Sequence, residues 1–184
     1  MTDQNARWII PMVLAAVAAA GCTPAIRPPS DPARSFIYGS IKGPGKTGSM
    51  QLQKNAAEYD YRNPRPEGRL LPGGVFYLED VTEGLWKVGV YRIGGKMYRT
   101  EPSGGYVLVP AGSVFFLGSL QVTEAEQAAG EMLLGHDRAF VVGFNEPGPR
   151  QVLEAVLADP RLKGTAWEGM LRAELARMGN PATP

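Results

Sequence analysis

Gly74–Val81, GVFYLEDV, and Leu85–Ile93, LWKVGVYRI, decide the fold class. In the first run Val75 and Tyr77 alternate with Phe76 and Leu78. In the second, Leu85, Lys87, Gly89 and Tyr91 stand opposite Trp86, Val88, Val90 and Arg92. Successive strand residues point to opposite faces, so a period of two predicts extended strands with one face toward a core. Thr82-Glu83-Gly84 separates the runs with turn chemistry, and Gly94-Gly95 leads from the second into Lys96–Thr100, KMYRT. Paired glycines between alternating runs favour a type I′ hairpin, because both central residues need positive φ.

Working outward, Ser35–Ile41, Ser49–Lys54, Tyr106–Val109, Ser113–Val122 and Ala139–Phe144 read as further strands, which with the central three makes eight. The 23 glycines and 16 prolines supply the turns that so many short strands require. Asn55–Leu71, polar and carrying Pro64 and Pro66, reads as a long surface loop. Thr123–Leu134 switches to helix period, with Thr123 and Glu126 as a capping box and Gly135 as its stop, and predicts an inserted helix. Two C-terminal helices are expected over Pro149–Ala158, with Val152, Leu153, Val156 and Leu157 on one face, and over Thr165–Met178. The second is capped by Thr165 with Glu168 and striped by Trp167, Met170, Leu171, Leu175 and Met178. An exposed Trp167 would make that helix an interaction surface; a buried one makes it packing.

The central motif also carries a resemblance. Gly74-Val75-Phe76-Tyr77-Leu78-Glu79-Asp80-Val81 followed by Gly84-Leu85-Trp86-Lys87-Val88 resembles the signature of carboxypeptidase regulatory-like, or transthyretin-like, β-sandwich domains, with Trp86 where a tyrosine is usual. Val109-Pro110-Ala111-Gly112-Ser113-Val114 is similar to their closing strand, so the resemblance spans residues 35–122. It implies a mainly β, antiparallel sandwich without catalytic residues, serving stability, display or binding. The expected organisation is therefore a sandwich over residues 35–145, with helices over 146–184 packed on it.

The N-terminus reads differently. A short polar start ending at Arg7 precedes an uncharged stretch from Trp8 to Ala20 that narrows to Ala18-Ala19-Ala20-Gly21. That is the layout of a secretory signal over residues 1–21, and a bilayer-spanning helix needs about 20 apolar residues, more than this run supplies. Ala19-Ala20-Gly21-Cys22 resembles the lipobox of bacterial lipoproteins, with Ala19 where leucine is commonest. The resemblance implies cleavage before Cys22, diacylglycerol on its thiol and acylation of the new amine. One acyl chain binds a membrane only marginally, whereas two or three hold a protein there. Thr23, rather than aspartate, after the cysteine implies the outer membrane, facing the periplasm. Residues 22–34 carry Pro24, Pro28, Pro29 and Pro32 and read as an extended tether. Cys22 is the single cysteine, so no internal disulfide forms.

Composition removes other classes. A net charge of +1 with scattered Lys and Arg gives no field for nucleic acid. Gly43-Pro44-Gly45-Lys46-Thr47-Gly48 matches GxGxxG literally, but a strand-like SMQLQK follows where a phosphate site needs a helix N-terminus. Nucleotide binding is thus not expected, and the segment reads as a glycine-rich hairpin turn. His136 beside Asp137 raises a hydrolase or metal reading, but further ligands and a nucleophile motif are missing. Glu79, Asp80 and Glu83 cluster near a turn, yet neighbouring strand residues diverge, so shared calcium coordination is not expected. The expected protein is a non-enzymatic envelope lipoprotein without cofactor or metal, bound to the membrane through lipid on Cys22 and to other envelope proteins. A ligand carrier with a barrel interior, and a hydrolase using His136 and Asp137, are the alternatives.

Overall fold

A computed structural model describes residues 26–43, 47–54, 67–93, 96–99, 105–124, 137–144 and 146–179. The described strands are β1 (Ser35–Lys42), β2 (Thr47–Lys54), β3 (Glu67–Leu70), β4 (Val75–Val81), β5 (Gly84–Ile93), β6 (Lys96–Arg99), β7 (Val107–Val109), β8 (Val114–Glu124) and β9 (Asp137–Phe144). Two helices follow, α1 (Pro149–Leu157) and α2 (Ala166–Gly179). Each of the eight expected strands forms within a few residues of its expected limits. β3 is additional and lies inside the stretch read as a loop.

The strand order is β2-β3-β4-β1-β8-β9-β6-β5-β7, and β2 also pairs with β5. That last pairing brings the sheet round on itself, so it is barrel-like and nearly closed rather than two separate layers. It is also mixed: β1 runs parallel to β8, and β6 parallel to β9, where antiparallel neighbours were expected. Alternation along a strand reports its faces but not the direction of its neighbour, so this difference lies beyond the pattern.

Two apolar clusters divide the packing. Inside the sheet lie Ile37, Ile41, Met50, Leu52, Phe76, Leu78, Val81, Trp86, Val88, Tyr91, Val109 and Val122. Outside it, Phe36, Tyr38, Val75 and Tyr77 meet Val152, Leu153 and Val156 of α1 and Trp167 and Leu171 of α2. The helices thus cover β1, β4 and β8. Trp167 is fully buried, with its ring 5.4 Å from Phe36, so α2 packs on the sheet.

Irregularities of register reset which residues face inward; one is on β8, where Phe116 and Gly118 oppose the consecutive Tyr38 and Gly39, so that Phe115, Leu117, Leu120 and Val122 all meet the inner cluster. Ser35 and Ile37 of β1 oppose Val81 and Leu78 of β4, so β4 carries one residue more than β1 over that interval. Asp80 takes it up with φ of 62°, in the left-handed region that aspartate tolerates better than most residues. Similarly, Gln51 and Leu52 oppose Val90 and Val88, leaving Gly89 as the extra residue of β5. Trp86, Val88 and Tyr91 consequently share the interior although strict alternation separates the last from the other two.

Connections follow from the same ring. β5 and β6 pair antiparallel with Ile93 opposite Lys96; the expected turn at Gly94-Gly95 lies outside the described residues. β4 and β5 are not neighbours, so Thr82-Glu83-Gly84 crosses between distant strands; Trp86 Nε1 donates to the Thr82 carbonyl at 2.9 Å and fastens the crossing. β1 and β2 are not neighbours either, which corrects the hairpin expected at Gly43–Ser49. β8 continues through Thr123 and Glu124, so the helix expected to start there does not begin at that cap; its remaining residues lie outside the described residues.

At the centre of β1, strand, ring and neighbour approach closely. A Cβ on Gly39 would lie 2.6 Å from Phe76 Cζ and 2.7 Å from the Gly118 carbonyl oxygen. Gly39→Ala is expected to lower unfolding free energy by about 1–3 kcal/mol, the range for overpacking a filled core. Gly169, in α2, has open space where a Cβ would stand. Gly169→Ala is expected to raise stability by about 0.5–1 kcal/mol by removing helix-interior glycine. Urea unfolding of both variants beside the parent checks the opposite signs.

Candidate functional site

The sequence-derived candidates separate in the structure. Cys22 and His136 lie outside the described residues. Asp137 opens β9 opposite Tyr98 of β6, so its backbone is committed to a parallel ladder. Glu79 accepts from Arg69 Nε at 3.0 Å and Nη2 at 2.8 Å, across the β3–β4 pairing. Asp80 accepts from Ser30 N and Ser30 Oγ, each at 2.9 Å, with Arg34 Nε 4.0 Å away. These two carboxylates therefore serve separate contacts. Among the described residues no group of three His, Cys, Asp or Glu side chains is arranged to hold a metal ion.

Two groupings that alternation does not reveal hold the elements together. The first is buried beneath the helices. Tyr77 on β4 donates its hydroxyl to Asp159 Oδ2 at 2.7 Å, and Arg161 reaches the same oxygen through Nη2 at 2.6 Å. The Arg161 amide also donates to Asp159 Oδ1 at 3.0 Å, as expected when an aspartate precedes the short 3-10 turn Pro160–Leu162. Burial pushes the Asp159 carboxyl up, but hydrogen bonds from Arg161 and Tyr77 outweigh it and hold the group below the ordinary aspartate range. Tyr77 is pushed far above the usual phenol range by burial, then by its bond to Asp159, so it stays a neutral donor. Asp159-Pro160 is a readable turn signal, but a partner on β4, 82 residues away, is not.

The second grouping is the N-terminal strap. Ile26 belongs to the outer core, and Trp167 Nε1 donates to the Arg27 carbonyl at 2.8 Å, a contact across 140 residues. Ser30 is held by Asp80 as above. Residues 26–34, read as part of a tether, thus lie along the folded body. At the adjoining end of α2, Thr165 Oγ1 accepts from Glu168 N at 3.3 Å, as its cap reading requires. Glu168 turns back to the Gly164 amide at 2.7 Å and to Arg172 at 2.7 Å; those two donors, in that order, hold its carboxyl below the usual range. Lys163 is exposed beside it, and Arg27 is exposed on the strap.

Elsewhere, Lys87 is 3% exposed with its Nζ 4.5 Å from the centre of the Tyr106 ring, a cation–π geometry. Leu85 and Leu108, cross-strand partners on β5 and β7, are the exposed large apolar side chains among the described residues. Ser40 donates to Ser119 Oγ at 3.0 Å, and Ser119 donates to the Pro147 carbonyl, linking β1, β8 and the entry to α1. No described helix is long and apolar enough to cross a membrane. Compared with family models, with curated proteins and with solved structures, the chain finds no match.

The two buried tyrosines under the helices give a paired test. Tyr77→Phe removes a donor from a buried carboxylate and is expected to cost about 1.5–3 kcal/mol. The Tyr38 hydroxyl is buried without a hydrogen-bond partner, so Tyr38→Phe is expected to be neutral or stabilising. Asp159 adds a pH signature. Its folded pKa is depressed, so its contribution is full above the unfolded value near 3.8 and is lost as pH falls through the lower folded value. The stability gap between the parent and Asp159→Asn, followed by chemical unfolding from neutral to acid pH, should stay constant to about pH 5 and close below it.

Proposed function

We propose that the protein is an envelope lipoprotein, held by lipid on Cys22 at the periplasmic face of the outer membrane, and that its folded part is a non-enzymatic structural or binding platform. The observation that carries this reading is the run from Trp8 to Gly21 ending at the chain's single cysteine, immediately ahead of the residues that enter the fold at Ile26. A lipid on Cys22 adds membrane affinity from outside the described core, whose first residue is Ile26.

Three features of the fold favour a platform. The polar side chains buried between elements, Tyr77 with Asp159 and Ser40 with Ser119, are engaged in joining those elements. The sheet interior is occupied by large side chains, including Phe76, Trp86 and Tyr91, which argues against a carrier built around an interior ligand. The hydrolase alternative would need a nucleophile and cleft around His136, and its neighbour Asp137 starts a strand. The kinship with carboxypeptidase regulatory-like domains stays within this proposal, resting on the Gly74–Val81 and Gly84–Val88 motifs; such modules serve display and binding.

Processing supplies the test. In a bacterial host with lipoprotein maturation, the parent should incorporate labelled palmitate and fractionate with membranes. Cys22→Ser should do neither. Unchanged incorporation by Cys22→Ser, or a purified parent whose intact mass still includes residues 1–21, overturns the reading.

A further inference from the structure

The strap is a short ligand carried by the chain that binds it. Its contacts with the seat fall within one segment, Ile26-Arg27-Pro28-Pro29-Ser30. The Ile26 side chain enters the outer core, the Arg27 carbonyl accepts from Trp167 Nε1 at 2.8 Å, and Ser30 donates its amide and its hydroxyl to Asp80 Oδ1. Between these contacts Pro28 and Pro29 fix their own φ and push the residue before each out of the helical region, so the segment arrives extended. Aromatic-lined grooves select proline segments for that reason, because little conformational entropy remains to be lost on docking. Here the aromatic wall is Trp167, with the Phe36 ring 5.4 Å from its own.

Seat and hinge are separate. Arg34 N donates to the Asp31 carbonyl at 2.9 Å, Ala33 N to Asp31 Oδ1 at 2.8 Å, and Gly112 N to the Ala33 carbonyl at 2.8 Å. The chain is therefore clamped from Ala33 onward and turns at Asp31-Pro32. Ahead of that turn no ladder of strand hydrogen bonds holds the strap, and Arg27, Pro28 and Ser30 are exposed. Segments with few buried contacts are the first to open. An open strap uncovers Trp167 and the place of Ile26, and leaves a seat shaped for the segment that has left it.

A second copy carries that same segment. Exchange of an identical element between two copies restores each contact of the closed form and alters only the hinge. We infer that the groove at the N-terminal end of α2 is a recognition site for the extended segment Ile26–Ser30, filled by the strap within one chain and by the strap of a second copy when two chains exchange. So short a connection gives the strap an effective concentration on the order of millimolar in its own seat, so exchange belongs to concentrated chains. The inference makes no use of the lipid on Cys22.

Cross-linking between unlike chains tests it. The full chain is used with Cys22→Ser, which removes its single native thiol and makes the outcome independent of the anchor. One chain then carries Ser30→Cys and the other Asp80→Cys, the pair that meets where strap and seat touch. The two are mixed in urea, refolded together at about 1 mM, the order of the concentration the strap presents in its own seat, and mildly oxidised. Disulfide dimers of unlike chains should exceed those of like chains several-fold, and adding Ile26→Ala to the Ser30→Cys chain should bring them down to the like-chain level. A chain with both cysteines, refolded dilute, should close on itself as a monomer. Unlike dimers no more abundant than like ones, or a double variant whose thiols stay free, overturn the inference. If Asp80→Cys does not fold at its positive φ, sedimentation of the Cys22→Ser chain after the same refolding decides. A dimer that disappears with Ile26→Ala supports exchange, and a chain that stays monomeric, or a dimer that Ile26→Ala leaves in place, overturns it.

Discussion

The structure depends on β1 being buried on both faces. From Ser35 to Ile41 every residue is buried, an arrangement met more often in a sheet covered by helices than in one with a side facing water. Ile37 and Ile41 look into the sheet, while Phe36 and Tyr38 look toward the helices. Such a strand is stable only if both edges are paired and both faces covered, because any gap leaves backbone polar groups or apolar surface without a partner. β4 and β8 supply the edges. The start of the strand is locked with particular care: Phe36 N donates to the Ser113 carbonyl, Gly112 N to Ala33, and Ser35 Oγ bridges the Pro110 carbonyl and the Ser113 amide.

From this strand the remaining layout follows. The interior face demands the ring of strands that closes around Phe76, Trp86 and Tyr91. The exterior face demands a cover, and α1 and α2 provide it with Val152, Leu153, Val156, Trp167 and Leu171. Burying Tyr77 under that cover favours a partner for its hydroxyl, since a lone buried hydroxyl, as at Tyr38, is costly. Asp159 meets the need and is itself neutralised by Arg161. The polar contact is therefore a consequence of where the helices sit, and it also fixes the turn between them.

What the sequence made legible was local. Alternation in Val75–Leu78 and Leu85–Val88, the glycine pair after Ile93, and the apolar stripe of α2 each state a conformation within one stretch of chain. The parity changes at Asp80, Gly89 and Leu117 escaped, because a single extra residue shifts later side chains to the other face without altering composition. β3, Glu67-Gly68-Arg69-Leu70, escaped because its one fully buried residue is a glycine and its charge is satisfied by Glu79 on the neighbouring strand. Strand direction and ring closure depend on contacts such as β1 with β8, tens of residues apart, which no period records. The same holds for the candidate sites: Tyr77 with Asp159, and Trp167 with Arg27, are pairs that only the folded chain brings together. Cys22 and His136, read from local pattern alone, lie outside the described residues.

The strap, residues 26–34, ties the first described residues to α2. Ile26 and Arg27 are seated against α2, so a pull applied to the chain ahead of Ile26 is delivered first to Trp167 and then to Phe36 of β1. A loose tether would dissipate such a pull as chain entropy, since a flexible segment resists extension only weakly. Here the first resistance is a desolvated indole hydrogen bond and the packing of an aromatic cluster, and both must be lost before the strap can lift. Stabilising α2 therefore also stabilises the seat of the strap. The contact that seats the strap is also the contact that completes the outer core.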